Sequence, residues 1–230
     1  MNKKNIITII PARGGSKGIP NKNITIFNNK PLLAHSIDYA KSSNLVSSIY
    51  VSTDNQKISK IAIKNKAKVI NRPDSISGDE ATTESAISHL LENLDYTPEI
   101  IILLQPTSPL RPPKSLDKAL KLFIEKKYDS LLSISPTHRF FWSIKNGKAI
   151  PKYDFLNRSR RQDLDSSSMQ FVENGSLYIF TYKSFVENKN RLGGHIGHII
   201  FNEEYSYEID TPKDLIFLES LVKILNPEND

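Results

Sequence analysis

Two apolar-rich runs constrain the fold of this chain more than any other feature. Residues 6–10 read IITII and end at Pro11, and residues 100–104 read IIILL. Runs that are apolar at nearly every position are typical of parallel strands covered on both faces of a sheet. The length of 230 residues is that of one domain with a substantial core. We therefore expect a single domain, residues 1–230, built on a mainly parallel sheet.

Helix-like and strand-like segments alternate around these two runs. Apolar residues at helical spacing predict helices over residues 31–41, 57–66, 83–94 and 115–126, and a last helix from Pro212. Further strands are predicted over residues 48–52, 68–70, 130–133, 171–180, 196–201 and 205–210. This alternation predicts an α/β fold of the Rossmann-like kind, in which a sheet lies between two layers of helices.

The alternation breaks between residues 136 and 170. This segment shows little helical or strand periodicity, but it contains Phe140, Phe141, Trp142 and several arginines. A loop of this length inside a compact domain is usually functional or disordered, and its aromatic residues favour order. We interpret residues 136–170 as an inserted arm that packs on another surface, such as a second subunit. The aromatic residues are more typical of packing than of sugar binding.

Composition limits the possible functions. The absence of cysteine excludes disulfides, a cysteine nucleophile and thiolate metal sites, and it suits a reducing cytoplasm. The apolar run near the N-terminus is too short for a signal-peptide core, and no run is long enough to span a membrane, so we expect a cytoplasmic protein without a membrane partner. The net charge of +6 would suit nucleic acid, or reflect a lysine-rich bias with a local basic site. Because the lysines are scattered and no nucleic-acid motif is found, we expect no nucleic-acid partner.

The loop after the first strand carries the strongest chemical signal. Residues 13–23 read RGGSKGIPNKN. Glycines such as Gly14 allow backbone N–H groups to approach phosphate oxygens, and Arg13 and Lys22 can neutralise a triphosphate. The loop is neither a Walker A motif nor G-x-G-x-x-G. A flexible glycine loop with solvated lysines remains the alternative.

A second signal is the pair Glu208 and Asp210. On a strand, residues spaced i and i+2 present their side chains on one face, and two adjacent carboxylates suit a hard cation such as Mg²⁺. Helix capping is the alternative for Asp210, but Thr211 followed by Pro212 already provides a cap. Asp54, between a strand and a helix, is predicted to cap that helix.

Seven sequence blocks together resemble one enzyme family. They are PARGGSKGIPNKN, VSTDN, NRP, LLQPTSPLR, RRQD, ENGSLYIF and EIDTPKDL, which occur in the family's order and span nearly the whole chain. The resemblance is to the CMP-sialic acid synthetases (acylneuraminate cytidylyltransferases), including those for legionaminic and pseudaminic acids. It implies a nucleotidyltransferase fold, a homodimer, a requirement for Mg²⁺, and a reaction of CTP with an acidic nine-carbon sugar that gives CMP-sugar and pyrophosphate. The related ketodeoxyoctonate family lacks the Gly-Gly-Ser-Lys stretch and is a weaker match.

The resemblance also implies roles for individual residues. Catalysis is expected of Arg13, Lys22 and Asp210, with Mg²⁺ held by Asp210 and, less directly, by Glu208, which departs from the family's Asp-x-Asp by one methylene. Nucleotide contacts are expected from Arg13, Gly14, Ser16, Lys22, Asn23, Arg72 and Thr83. Sugar contacts are expected from Gln105, Arg160, Arg161 and Glu173.

Alternatives remain for several of these residues. Arg72 is also typical of a surface position before proline, Thr82 or Thr83 of a helix cap, and Arg160 and Arg161 of a solvated loop. No side chain stands out as a general base. Three other functions stay open: transfer of a nucleotide to another sugar acid, nucleotide binding without catalysis, and binding of nucleic acid.

Overall fold

The computed structural model describes residues 5–158, 160 and 169–225, which form a sheet with helices on both faces. The strands of the main sheet are β1 (Ile6–Pro11), β4 (Ser48–Thr53), β5 (Lys68–Asn71), β6 (Ile100–Leu103), β7 (Ser130–Thr137), β10 (Gln170–Thr181) and β11 (Ile196–Ile200). The helices are α1 (Leu32–Lys41), α2 (Gln56–Lys64), α3 (Thr83–Glu92), α4 (Ser115–Glu125), α5 (Tyr182–Asn188) and α6 (Pro212–Leu225). Two short hairpins lie outside the sheet, formed by β2 (Ile26–Phe27) with β3 (Lys30–Pro31) and by β8 (Trp142–Lys145) with β9 (Lys148–Pro151).

The sheet is mainly parallel, as predicted. Its seven strands lie in the order β11-β7-β10-β6-β1-β4-β5. Strands β5, β4, β1 and β6 are parallel neighbours, whereas β10 runs antiparallel to both β6 and β7. The chain moves outward from β1 to β4 and β5 and then returns to β6 on the other side of β1. Ligands bind at such a switch point, beyond the carboxyl ends of the strands.

The core confirms the three layers. On β1, Ile6 and Ile10 pack with residues of α1, α2 and α4, whereas Ile7 and Ile9 pack with residues of α3 and α5. Alternate side chains of a strand point to opposite faces of the sheet, so a strand covered on both faces is apolar on both. All four isoleucines are buried.

The segment between β7 and β10 differs from the prediction. Strand β7 continues to Thr137, and the β8–β9 hairpin occupies Trp142–Pro151, where little strand periodicity was expected. The hairpin turns at Asn146 and Gly147, both with positive φ, as in a type I′ turn. Phe140 and Trp142 pack against Tyr153, which agrees with a packing role for these aromatic residues.

A second difference concerns the predicted strand over residues 205–210. The structure has a single 3-10 turn at Glu203–Tyr205 and then an irregular segment up to α6, so the prediction of a strand is wrong. The backbone N–H of Ile209 donates a hydrogen bond to the carbonyl oxygen of Thr107 in a neighbouring loop. Within the described ranges, no helix combines the length and apolarity needed to cross a bilayer.

Candidate functional site

A cleft of about 460 Å³ opens at the carboxyl ends of the parallel strands. Loops that follow β1, β5 and β6 form its walls, because parallel strands deliver their carboxyl ends to one edge of the sheet. Eight of the predicted site residues line the cleft: Arg13, Ser16, Lys22, Asn23, Arg72, Thr83, Gln105 and Asp210. Residues that are more than a hundred positions apart in sequence therefore meet in one place.

Hydrogen bonds between side chains and backbone groups fix the conformation of the loop of residues 13–23. The buried side chain of Asn23 donates a hydrogen bond to the carbonyl oxygen of Arg13 at 2.8 Å. The N–H of Gly14 donates to the Asp54 carboxylate at 2.8 Å. The predicted capping role of Asp54 is wrong, because the side chain of Asn55 caps α2 instead. Asp54 therefore organises the loop that carries the basic residues.

Each basic side chain of this loop is paired with a carboxylate. Asp79 bridges Arg13 and Lys17, at 2.9 and 2.8 Å, and the two cations lower the pKa of Asp79, with the Lys17 hydrogen bond contributing most. Lys22 pairs with Asp210, whose backbone lies against Gly18 of the same loop, with Nζ 2.8 Å from Oδ1. The Lys22 side chain is only 15% exposed, whereas that of Asp210 is 61% exposed. The cations are thus oriented toward the cleft by partners that an anionic ligand can replace.

The opposite wall of the cleft contains Arg72 and Thr83. Arg72 is buried rather than a surface residue, and its guanidinium donates to Ser52 at Oγ (3.1 Å) and at the carbonyl oxygen (2.7 Å). Burial lowers the pKa of Arg72. Thr82 is the cap of α3, since its Oγ1 accepts from the N–H of Ser85. The Thr83 side chain is therefore not needed for the cap and lines the cleft.

Gln105 lines the cleft, and Glu208 lies close to it beside a bulge in β10 but is not among the lining residues; we call this region, around Gln105, Glu208 and the bulge, the deeper end of the cleft. The bulge contains Gly175, whose φ of +64° few residues other than glycine adopt. A side chain at this position would collide with the Glu208 carboxylate and come within 3.0 Å of Gln105 Oε1. Glu208 also accepts a 3.4 Å hydrogen bond from Ser108. Burial and then the neighbouring charge of Asp210 raise the pKa of Glu208.

The other predicted sugar contacts that the structure describes, Glu173 and Arg160, do not line this cleft. Glu173 is on the exposed part of β10, where it accepts a short hydrogen bond from the Tyr178 hydroxyl. Burial raises the pKa of that hydroxyl. Arg160 is exposed and is not among the described residues that line the cleft. Arg161 lies outside the described residues. A role for these arginines in a partner subunit's site stays a prediction.

The carboxylates in and beside the cleft fit a magnesium ion that enters with a nucleotide. Asp210 is exposed and engages Lys22 through one oxygen, and Glu208 lies near enough for the two charges to repel. Magnesium typically uses one or two carboxylates together with substrate phosphates and water. Within the described part of the chain, no group of three or more acidic, histidine or cysteine side chains is arranged for a metal. The pair therefore suits a metal shared with a substrate rather than a permanent structural ion.

Sequence reasoning missed two residues that organise the site, Asp79 and Arg111. Arg111 ends the LLQPTSPLR block, for which the sequence assigns it no role. Its position after an apolar strand and a proline-containing turn is the feature that could have identified it. Asp79 had no comparable signal, because its contact with Arg13 depends on how two distant loops pack.

Comparisons with known proteins identify the family to which this chain belongs. The family model described as Cytidylyltransferase matches residues 7–228. N-acylneuraminate cytidylyltransferase A of Danio rerio is 36% identical over 92% of this chain, which spans about half (49%) of that relative's length. CMP-N,N'-diacetyllegionaminic acid synthase of Legionella pneumophila is 33% identical over 95% of this chain and 97% of its own.

A solved structure shows the same fold. CMP:2-keto-3-deoxy-manno-octonic acid synthetase complexed with CTP superposes with a TM-score of 0.71 at 15% identity, over 96% of this chain and 100% of that one. The identity is too low for the comparison to show more than the fold. The match to the family model and the identity to the Legionella pneumophila relative extend over nearly the whole chain. The chain therefore belongs to the cytidylyltransferase family.

Proposed function

We propose that this protein transfers CMP from CTP to an acidic nine-carbon sugar and releases pyrophosphate. The observation that carries the proposal is the single cleft in which basic, amide and acidic side chains converge at the carboxyl edge of the sheet. Its basic loop suits a triphosphate, and its deeper end offers hydrogen-bonding groups to a polar second substrate. The names of the relatives from Danio rerio and Legionella pneumophila support a nonulosonic acid as that substrate.

The nucleotide occupies the part of the cleft between the basic loop and Arg72. Arg72 and Thr83 contact the nucleoside, and Asn23 holds the loop backbone at Arg13. Arg13 and Lys22, with Gly14 and Ser16 beside them, bind the phosphates and stabilise the pyrophosphate as it leaves. Oriented charges of this kind lower the barrier because they need no reorganisation during the reaction.

The sugar occupies the deeper end, near Gln105. Its anomeric hydroxyl attacks the α-phosphorus of CTP in line with the departing pyrophosphate, so one P–O bond forms while another breaks. Holding the two substrates at the correct distance supplies much of the rate acceleration. Glu173, and Arg160 and Arg161 from a partner subunit, bind the sugar and its carboxylate, for which an arginine fork is suited.

Asp210 and Glu208 would hold Mg²⁺ when the nucleotide is bound, and the ion would supply charge neutralisation at the phosphate oxygens and lower the pKa of the attacking hydroxyl. Before the nucleotide arrives, Lys22 balances the charge of Asp210. The exposed oxygen of Asp210 faces the same cleft as the basic loop.

In this proposal the functional unit is a cytoplasmic homodimer. The segment around the β8–β9 hairpin, which we assign to the dimerisation arm of residues 136–170, exposes a set of large apolar side chains: Phe141, Trp142, Ile144, Phe155 and Leu156. Apolar side chains grouped on one projecting element are typical of an interface. Sedimentation analysis of the wild type and of Ile144→Asp tests the dimer, and a monomeric wild type at micromolar concentration would contradict it.

Pyrophosphate release tests the reaction. CTP, UTP, GTP and ATP are each offered with N-acetylneuraminic, legionaminic, pseudaminic and ketodeoxyoctonic acids in the presence of Mg²⁺. We expect release with CTP and a nine-carbon acid only. Release with ketodeoxyoctonate alone would reassign the sugar, and CTP binding without release for any sugar would indicate an inactive homologue.

A further inference from the structure

Arg111 is a buried cation that pairs with no carboxylate in the described part of the chain. The residue is 8% exposed, and among the described residues it takes part in no ion pair. Burial lowers its pKa to about 10, so the guanidinium remains charged near neutral pH. A buried ion costs several kcal/mol in desolvation, and apolar residues often replace buried ions without loss of stability. Stability alone therefore does not explain an arginine here.

The guanidinium joins three separate parts of the fold by hydrogen bonds. It donates to the carbonyl of Ser176 in β10 (3.0 Å), to Ser36 Oγ in α1 (3.2 Å) and to the carbonyl of Gln105 (2.9 Å). It also lies over the ring of Tyr39, 5.1 Å from the ring centre. The three nitrogens of the planar guanidinium thus donate in three different directions. The single ammonium nitrogen of a lysine cannot reproduce this arrangement.

Two of these bonds end at the deeper end of the cleft. Gln105 begins the loop that Arg111 ends, and Ser176 directly follows Gly175 in the bulge of β10. Gly175 in turn lies against Glu208 and Gln105. Arg111 therefore holds the backbone of Gln105 in position relative to the bulge, although Arg111 is not among the residues that line the cleft.

We infer that Arg111 is a positioning residue for the sugar half of the site: its three hydrogen bonds fix Gln105 against the β10 bulge. The inference rests on the proposed function for the identity of the bound sugar, but the linkage between the loop and the bulge is independent of it. Because a displacement of about 1 Å in a site can reduce turnover roughly a hundredfold, loss of this linkage should act on the sugar and spare the nucleotide.

The test compares Arg111→Lys and Ser36→Ala with Tyr39→Phe. Arg111→Lys keeps the charge but not the fork. Ser36→Ala retains Arg111 but removes one of its acceptors, together with the 3.4 Å hydrogen bond that Ser36 Oγ itself donates to the Gln105 carbonyl. Tyr39→Phe is the matched control, because it keeps the ring under the guanidinium and removes only the hydroxyl bonded to Ser115. We expect kcat/KM for the sugar to fall roughly a hundredfold in Arg111→Lys and less in Ser36→Ala, with KM for CTP changed less than about twofold. Equal losses for both substrates, or none, would overturn the inference.

Amide hydrogen exchange provides a readout that needs no substrate and no activity. In Arg111→Lys, exchange should accelerate in residues 105–111 and 174–177 and remain unchanged in residues 13–23. Unchanged exchange at the loop and bulge would overturn the inference even if the sugar proves to be another acid. A wild-type protein that releases no pyrophosphate would refute only the proposed function. If Arg111→Lys fails to fold, Ser36→Ala carries both measurements.

Discussion

The two ends of the cleft are prepared for ligands in different ways. At the phosphate end, cations are held by exposed carboxylates, as in the Arg13–Asp79 and Lys22–Asp210 pairs. At the deeper end, the buried Arg111 holds backbone carbonyls by hydrogen bonds. Exposed ion pairs contribute little to stability, whereas a buried donor left without an acceptor is strongly unfavourable.

This difference indicates that the two ends of the cleft have different roles. Under the proposed function, the phosphate end exchanges its internal anions for those of a triphosphate, because the carboxylate of each pair is exposed. The deeper end cannot exchange its bonds, so it fixes geometry instead. Substitutions at the first end should therefore change charge-dependent binding and catalysis, and substitutions at the second should change geometry and stability.

The largest effect is expected from Asp210→Asn. The substitution keeps the shape of the side chain and removes the negative charge that pairs with Lys22 and on which the proposed Mg²⁺ site depends. We expect turnover in pyrophosphate release to fall roughly a thousandfold, since metal-assisted stabilisation is worth several kcal/mol. The melting temperature should change little, because the side chain is exposed. The control is Glu125→Gln, an exposed acid on α4. Turnover close to wild type in Asp210→Asn would refute the metal assignment.

A smaller but still large effect is expected from Gly175→Ala at the deeper end. The added methyl group meets the Glu208 carboxylate, and the positive φ is unfavourable for alanine, so the free energy of unfolding should fall by about 1–3 kcal/mol. Denaturant titration measures this change. Gly147→Ala is the matched control: Gly147 has a similar φ of +75° in the hairpin, but nothing lies near its missing side chain. If the two variants lose equal stability, the contact with Glu208 is unimportant.

Asp79→Asn should modestly strengthen anion binding, whereas the two preceding substitutions reduce turnover or stability. Removing the bridging charge leaves Arg13 and Lys17 available to an incoming anion, so the affinity for pyrophosphate should rise roughly two- to fivefold at low ionic strength. The gain should shrink as salt is added, because exposed charges are screened. Calorimetric titrations with pyrophosphate at two salt concentrations measure this. Weaker binding by Asp79→Asn would instead mean that Asp79 orients the two cations rather than competing for them.

The sequence predicted the phosphate end better than the deeper end. Apolar runs such as residues 6–10 identify parallel strands, and the loop of residues 13–23 follows one of them directly. These are local patterns, which can be recognised in a single sequence. The approach of Asp79 to Arg13 joins two loops that are far apart in sequence, so no local pattern carries it.

The errors have equally physical causes. Glu208 and Asp210 were placed on a strand because alternate spacing suits one, but the segment is irregular and held by Thr107. The β8–β9 hairpin was missed because its exposed strands lack alternation, although Asn146–Gly147 is a strong turn signal. The bulge at Gly175 was hidden because an apolar run after a glycine also suits a regular strand.

The smallest predicted effect is a pH dependence of the free energy of unfolding, which arises from a residue that does not line the cleft. His35 in α1 lies next to Ser36, and its Nε2 is 2.8 Å from the carbonyl oxygen of Phe27. Burial lowers the pKa of His35 below its usual 6.5, despite the opposing effect of that hydrogen bond. The unfolded chain then binds a proton as the pH falls through about 6.5, while the folded protein does not, so acidification destabilises the fold. We expect the free energy of unfolding to decrease between pH 7.5 and 5.5, by less than about 1.4 kcal/mol per pH unit, and His35→Gln to reduce this slope. A slope that persists unchanged in His35→Gln would contradict the assignment of the pH dependence to this histidine, whereas Asp79→Asn should leave the slope unchanged in this range, because the pKa of Asp79 is lowered from that of an ordinary aspartate.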